Sequence, residues 1–292
     1  MDRTESAASS PMTALGLIGR LLMARGRNRA DLCYEFMGTR NCPTTDSTYL
    51  NLGYWRDTND YRQAAEAMVD LLGHAAAIGE GDTVVDAGCG FGDQDVRLAQ
   101  TRNAVRIHGV NITESQIAHA RLHNAHPRVT YHVASATALP FEDGSIDKVV
   151  SLEAAFHFDT RETFLREAFR VLRPGGRLAV IDLVPLERNG RPQTGGLRGA
   201  LERWASQTPG ANVYGITRYG EILRATGYVD GQLRSIAPDV LPPYVAFMHK
   251  LLADPDQASR FHPMIRKAMQ HPNNPFASSD YILVTAAKPA SA

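Results

Sequence analysis

The sequence predicts an α/β protein: a doubly wound, mostly parallel sheet with helices on both faces. Three observations point there. Short Val/Ile-rich runs alternate with helix-period segments along most of the chain, and a glycine-rich bend follows the first of those runs. The third is composition: 43% of the 292 residues are hydrophobic and 21% charged, which suits one packed core of about 200 residues plus a smaller appendage.

Taken in order, residues 1–11 are Ser/Ala-rich and predict a disordered tail. Residues 12–60 predict an N-terminal helical lid: an amphipathic helix over 12–25, then scattered aromatics (Tyr34, Phe36, Tyr49, Tyr54, Trp55). The core follows over 61–186. A helix from Tyr61 to Ala77 is stopped by Gly79 and Gly81. Strand Thr83–Ala87 runs through the glycine bend into a helix from about Gly92. Strand Val105–Val110 precedes helix Glu114–Asn124, and strands Val129–Val133 and Ile146–Leu152 precede helix Arg161–Leu172 and strand Arg177–Leu183. The rhythm breaks over 187–219, which reads as an inserted cap. It resumes over 220–237 with helix Gly220–Thr226 and strand Tyr228–Ile236. Residues 238–275, rich in apolar side chains and prolines, predict cap helices, and 276–292 carry a last strand, Tyr281–Ala286, and a tail.

Several functions are disfavoured by composition. Formal net charge is zero, leaving no basic excess to hold a phosphate backbone, so nucleic acid is not an expected partner. Cys33, Cys42 and Cys89 form neither a disulfide framework nor a zinc pattern, which favours a reducing compartment, the cytoplasm. The apolar stretch from Met12 to Met23 is interrupted by Gly and Arg20. It falls short of the ~20 apolar residues of a membrane span and lacks the charge order of a signal peptide. No membrane partner is expected. Oligomeric state stays open, a homodimer included.

The strongest motif is Val84-Val-Asp-Ala-Gly-Cys-Gly-Phe-Gly92, an apolar strand ending in Asp86 with glycines at 88, 90 and 92. Glycines at a strand-to-helix bend let a ligand lie against bare backbone at a helix N-terminus. A dinucleotide fingerprint needs its third glycine one residue later. The carboxylate before the first glycine suits a ligand bearing an ammonium group, which Asp86 would approach directly or through water.

On these residues the chain resembles the class I S-adenosylmethionine-dependent methyltransferases, and the resemblance continues in order over most of residues 50–185. Arg173-Pro-Gly-Gly176 is similar to the family's late turn, and Ala138-Leu-Pro-Phe141 with Ser145-Ile-Asp147 to its approach to the fourth strand. The resemblance implies a Rossmann-like doubly wound sheet of seven strands, mostly parallel with one antiparallel. It also implies S-adenosylmethionine as methyl donor, released as S-adenosylhomocysteine. The cofactor contacts it implies are Asp86, Gly88, Cys89, Gly90, Asn111, Ile112, Gln116, Ser135, Ala136 and Glu153, the last for cofactor or lid. Two positions depart from the family pattern. Asn111 stands where an acidic residue usually chelates the ribose, and Ser135 where an Asp usually meets the adenine amino group. An amide followed by Gln116 is similar to a subgroup holding the rebeccamycin sugar O-methyltransferase, tocopherol C-methyltransferases and cyclopropane synthases. Asn51-Leu-Gly-Tyr-Trp55 resembles that subgroup's lid, which implies Tyr54 or Trp55 over the sulfonium; the alternative is that both anchor the lid to the core.

Methyl transfer needs an aligned nucleophile and somewhere for its proton to go. His157, a few residues beyond the fourth strand, is the candidate base, since an ordinary imidazole titrates near ~6.5. Asp182, ending the fifth strand, is the candidate to fix the imidazole tautomer; the resemblance to the sugar O-methyltransferase assigns the two the same roles. The alternative for His157 is a histidine that merely holds its turn. His119 and His123, four apart on a helix, with His126 nearby, read as a solvated face, and no metal is expected. Arg188, Arg191, Arg198 and Arg203 read as a charged surface. Trp204, Tyr214, Tyr219, Tyr244, Phe247 and Met248 suit either a pocket or a cap core.

The expected function is therefore O-methylation of a hydroxyl on a small specialised metabolite. Alternatives are C-methylation, a cyclopropane-synthase-like reaction, a cyclase that binds the cofactor without consuming it, and, against the glycine spacing, a dinucleotide oxidoreductase.

Overall fold

The computed structural model describes residues 42–104, 106–193, 208–269 and 275–290, with Gly196. The expected tail, the helix over 12–25, Cys33, Tyr34, Phe36, Arg198, Arg203 and Trp204 lie outside the described residues.

Helix α1 (Tyr61–Ala75) begins where Asp60 accepts a hydrogen bond from the Gln63 amide, the side-chain cap that satisfies an orphan donor. Strand β1 (Thr83–Ala87) leads to α2 (Asp93–Arg102), β2 (Arg106–Asn111) to α3 (Glu114–His123), and β3 (Val129–Val133) to β4 (Ile146–Leu152). A single 3-10 turn (Ala155–His157) separates β4 from α4 (Arg161–Val171), which Thr160 caps, and then comes β5 (Leu172–Pro185). A two-residue-per-strand hairpin, β6 (Glu187–Arg188) and β7 (Arg191–Pro192), and a 3-10 turn at Gly210–Asn212 are the described structure before α5 (Ile216–Thr226). Strand β8 (Val229–Ser235), a 3-10 turn at Ala237–Asp239, helices α6 (Leu241–Ala253), α7 (Pro255–Arg260) and α8 (Pro263–Met269), and β9 (Ser279–Ala287) follow.

The sheet order is β3-β2-β1-β4-β5-β9-β8. Strands β1 to β5 pair in parallel, and β9 runs antiparallel between β5 and β8. The expected Rossmann-like sheet, seven strands with one reversed, is the observed one. Because successive side chains point to opposite faces, the unbroken apolar strands feed two cores at once. Val84, Val150, Ala179 and Ile181 face α1 and α2. Val85, Val149, Leu178 and Val180 face α4 and α5.

Some boundaries differ from those read in the sequence, for physical reasons. Strand β5 starts at Leu172 rather than Arg177, because Leu172 already pairs with Ile146 ahead of the glycine turn. Helix α5 starts at Ile216, inside the expected cap, because Glu187 reaches its first turn. Glu187 Oε1 accepts from the Thr217 amide at 3.2 Å and Oε2 from the Thr217 hydroxyl at 2.5 Å. A cap supplied from 30 residues away leaves no local signal.

Candidate active site

A cavity of about 550 Å³ opens at the carboxyl ends of β1, β2 and β4, where open α/β sheets place their ligands. Its floor is the glycine bend. Gly88, Gly90 and Gly92 have φ of +88°, +57° and +91°, the left-handed region that glycine enters without strain. A Cβ on Gly88 would lie 2.3 Å from Ala154 Cβ, and one on Gly92 would lie 2.5 Å from the Tyr131 hydroxyl. Backbone here must stay bare.

On one side wall Asn111 Oδ1 accepts from the Ile112 amide at 2.8 Å, and Asn111 Nδ2 donates to Gln116 Oε1 at 2.6 Å. Gln116 Nε2 is buried without a hydrogen-bond acceptor and belongs to a residue lining the cavity. A buried donor without a partner is rare, and a ribose hydroxyl would satisfy this one. Ser135 and Thr137 share a hydroxyl–hydroxyl bond of 2.8 Å further along the same wall, beside Ala136.

The opposite wall is the segment after β4. Glu153 adopts φ +51°, with its amide donating to Ile181 O at 2.8 Å. Burial pushes its carboxyl up to about 8. Phe156, His157 and Phe158 continue the wall, facing Thr208, Pro209 and Gly210. His157 ends the 3-10 turn, its ring centroid 3.8 Å from that of Phe156.

Over the floor passes the segment 48–52. Asp93 holds its start, accepting from the Thr48 amide at 3.0 Å and from the Thr48 hydroxyl. The Tyr61 hydroxyl holds its middle, donating to Tyr49 O at 3.0 Å and Asn51 O at 2.8 Å. Thr48, Tyr49, Leu50 and Asn51 line the cavity.

Of the residues singled out in the sequence, Gly88, Cys89, Gly90, Asn111, Ile112, Gln116, Ser135, Ala136, Glu153 and His157 meet on this one cavity. Four do not. Tyr54 and Trp55 turn away: Trp55 packs on Phe247 at 5.2 Å and donates to Leu52 O, and the Tyr54 hydroxyl donates to Asp239. They anchor the lid, because large rings gain more in the core than over a solvent-open mouth. Asp86 is fully buried behind the floor and accepts from Gln94 Nε2. Gln94, which no sequence signal marked, takes its place on the wall. Asp182 does not reach His157. Its carboxylate accepts from Arg161 Nε at 2.7 Å, Phe156 N at 3.1 Å and Leu183 N at 3.0 Å. It therefore fixes the turn that carries His157 and leaves the imidazole to other contacts.

That turn rests on a buried network. Arg161 also donates to Asn212 O at 2.9 Å and lies over the rings of Tyr214 and Tyr219, at 4.7 and 5.2 Å. Asn212 Nδ2 donates to Phe156 O and Phe158 O, while its Oδ1 accepts from the Arg161 amide at 2.8 Å. Asn212 was not legible as a site residue, since nothing near it in the chain marks it. The candidate pocket aromatics are core: Tyr219 is fully buried, Met248 belongs to the α6–α8 cluster, and Tyr244 and Phe247 pack on α1 and its neighbours. His119 and His123 pack with ring centroids 4.4 Å apart and planes tilted by 37°. Among the described residues no group of three His, Cys, Asp or Glu is placed to hold a metal, and no helix is long and apolar enough to cross a membrane.

Behind the floor, Asp86 and Asp95 are both fully buried. Burial pushes Asp86 up to about 6, and burial with the Asp86 charge pushes Asp95 well above the usual carboxylate range. Both folded values are raised, so the stability this pair contributes is full below about pH 4, falls as pH rises through about 6 and keeps falling at higher pH, where Asp95 would ionise. Asp95→Asn removes one acid. It should raise the melting temperature at pH ~8 by several degrees, with little change at pH ~4, flattening the alkaline slope. Identical melting curves for both proteins at the two pH values would contradict the shared burial of the pair.

Bare glycine backbone, a paired amide wall with a spare donor and a carboxyl-edge cavity together define a site for a nucleoside-linked amino acid, the chemistry of S-adenosylmethionine. Comparison with known proteins completes the assignment. Residues 85–180 match the family model described as a methyltransferase domain. The chain is 33% identical over 280 residues to the erythromycin 3''-O-methyltransferase of Saccharopolyspora erythraea, covering 91% of this chain and 92% of that one. It is 32% identical over 228 residues to the 27-O-demethylrifamycin SV methyltransferase of Amycolatopsis mediterranei, covering 76% and 78%. The crystal structure of the [4+2]-cyclase SpnF superposes with a TM-score of 0.68 at 24% identity over 90% of this chain and 96% of that one, a likeness of fold. The chain belongs to the class I S-adenosylmethionine-dependent methyltransferases.

Proposed function

We propose that this protein methylates a hydroxyl group of a small specialised metabolite, with His157 as general base. The observation that carries this reading is the placement of His157 in the wall of the same cavity as the glycine bend, on a turn held from behind by Arg161, Asp182 and Asn212. Two relatives whose names describe methylation at an oxygen, of erythromycin and of 27-O-demethylrifamycin SV, lend it support.

When bound, S-adenosylmethionine supplies an already activated methyl group on a sulfonium. The chain does the rest. Gly88, Cys89 and Gly90 leave room for the amino-acid end, with Gln94 beside them. Asn111, Ile112 and Gln116 offer donors and acceptors to the ribose, and Ser135 and Ala136 bound the base. Phe156 and Phe158 exclude water and orient the acceptor, and His157 takes the hydroxyl proton as the oxygen attacks. Such positioning and base catalysis act together. The small-molecule acceptor is expected to be met in the cytoplasm, by a monomer or a homodimer.

The test has two stages. Calorimetry of the purified chain with S-adenosylhomocysteine, and with NADH as control, should show binding of the first alone. Incubation with isotopically labelled methyl donor and a panel of hydroxylated glycosides and macrolides should then yield a product whose carbon NMR shift is that of a methoxyl. A C-methyl shift, or cofactor left unconsumed while the acceptor is transformed, would replace the O-methyl reading.

A further inference from the structure

Glu153 stands where lid, sheet and cavity meet. Its Oε1 accepts from the Leu52 amide at 2.6 Å and from the Tyr281 hydroxyl. Those donors lie 101 and 128 residues away, one in the segment that crosses the cavity and one in β9. The residue also lines the cavity. Its backbone sits at φ +51°, a conformation that costs a residue with a side chain about 1 kcal/mol or more and that glycine adopts freely. A carboxyl placed at such cost, with both bonds directed away from its own element, has a task beyond filling space.

We propose that Glu153 is the latch of the lid: its carboxyl holds the 48–52 segment closed over the cofactor and sets how fast the cofactor leaves. The segment has other ties, at Thr48 through Asp93, at Tyr49 and Asn51 through Tyr61, and at Leu52 O and the residues after it through Trp55 and Tyr54, but Glu153 is the tie that comes from the cavity wall itself. Leu50 stands 3.6 Å from where a Gly90 Cβ would be, so the segment lies directly above the floor. Releasing Leu52 from Glu153 detaches the strap from the cavity wall between its Tyr61 and Trp55 anchors and lets that stretch open over the floor. The Glu153 carboxyl, raised by burial, serves as an acceptor here, and a neutral amide of the same shape can accept from both donors. Glu153 is thus a positioning residue and takes no proton from the acceptor.

The latch rests on the reading that this cavity holds S-adenosylmethionine, and the two can fail separately. Three variants decide it: Glu153→Gln keeps the acceptor oxygen, Glu153→Ala removes it, and Glu153→Gly removes it while relieving the left-handed backbone. In the cofactor-free proteins, hydrogen exchange at the Leu52 amide should be slow in the parent and in E153Q, and fast in E153A and E153G. Release of S-adenosylhomocysteine, followed by competition in a stopped-flow instrument, should be about 10–100-fold faster in E153A and E153G and within about threefold of the parent in E153Q. Unchanged exchange in both E153A and E153G overturns the latch, whatever the cofactor does. Fast exchange with unchanged release also overturns it, since the tie would then not govern the cofactor. If the parent does not bind S-adenosylhomocysteine, the methyltransferase reading fails, and with it the claim about release.

Discussion

Arg161→Met should lower the stability of the protein by about 3–5 kcal/mol, or roughly 10 °C in melting temperature. The reason is the company Arg161 keeps. Both it and Asp182 are fully buried, 2.7 Å apart, and two further guanidinium hydrogens go to Asn212 O and Leu183 O. A methionine fills the volume and leaves Asp182 as an unpaired charge among apolar side chains. Burial already pushes that carboxyl up, with the guanidinium opposing it. Without Arg161 its folded value rises further above the unfolded one. By linkage, the stability it contributes then survives only below about pH 4 and drains away as pH rises. The deficit of Arg161→Met should therefore be larger at pH ~8 than at pH ~5, and Arg161→Met/Asp182→Asn should recover part of it. A variant melting within a degree or two of the parent at both pH values would show that the ion pair is not what holds this turn.

His157→Ala should reduce kcat by about 10²–10⁴-fold, the range that positioned general bases supply, with S-adenosylhomocysteine affinity within a few-fold of the parent. The split follows from geometry: His157 lines the cavity on the Phe156–Phe158 wall, while the amide pair Asn111–Gln116 forms the wall across the glycine floor. Asp182→Asn is the informative companion. An aspartate that fixed the imidazole tautomer would lose turnover at constant stability. Here the carboxylate meets Arg161, Phe156 N and Leu183 N, so Asp182→Asn should behave like a milder Arg161→Met, losing stability and turnover together. Loss of turnover with an unchanged melting temperature would restore the tautomer role.

What the sequence made legible follows the range of the interaction that writes it. Strands β3 (Val129–Val133) and β4 (Ile146–Leu152) run between the same residues in sequence and structure, because alternating and continuous apolar runs encode burial locally. The glycine bend was readable because left-handed φ and missing Cβ atoms leave a residue-type trace. Long-range partners leave none. Gln94 looked like any helix residue until Asp86 was found behind it. Asn212 reaches the His157 turn across more than 50 residues. Tyr54 and Trp55 showed the opposite problem: aromatic residues near a site look the same in sequence whether they cover a ligand or grip a core, and only the neighbouring Phe247 and Asp239 decide.

Strand β9 enters the sheet last in sequence but lies inside it, between β5 and β8. During synthesis, two finished strand edges must therefore wait unpaired until residues 279–287 have cleared the ribosome. The same strand carries Tyr281, which bonds Glu153. A chain lacking β9 thus has neither a continuous seven-stranded sheet nor a completed strap, and capacity to retain the methyl donor should arrive only once residues 279–287 have paired.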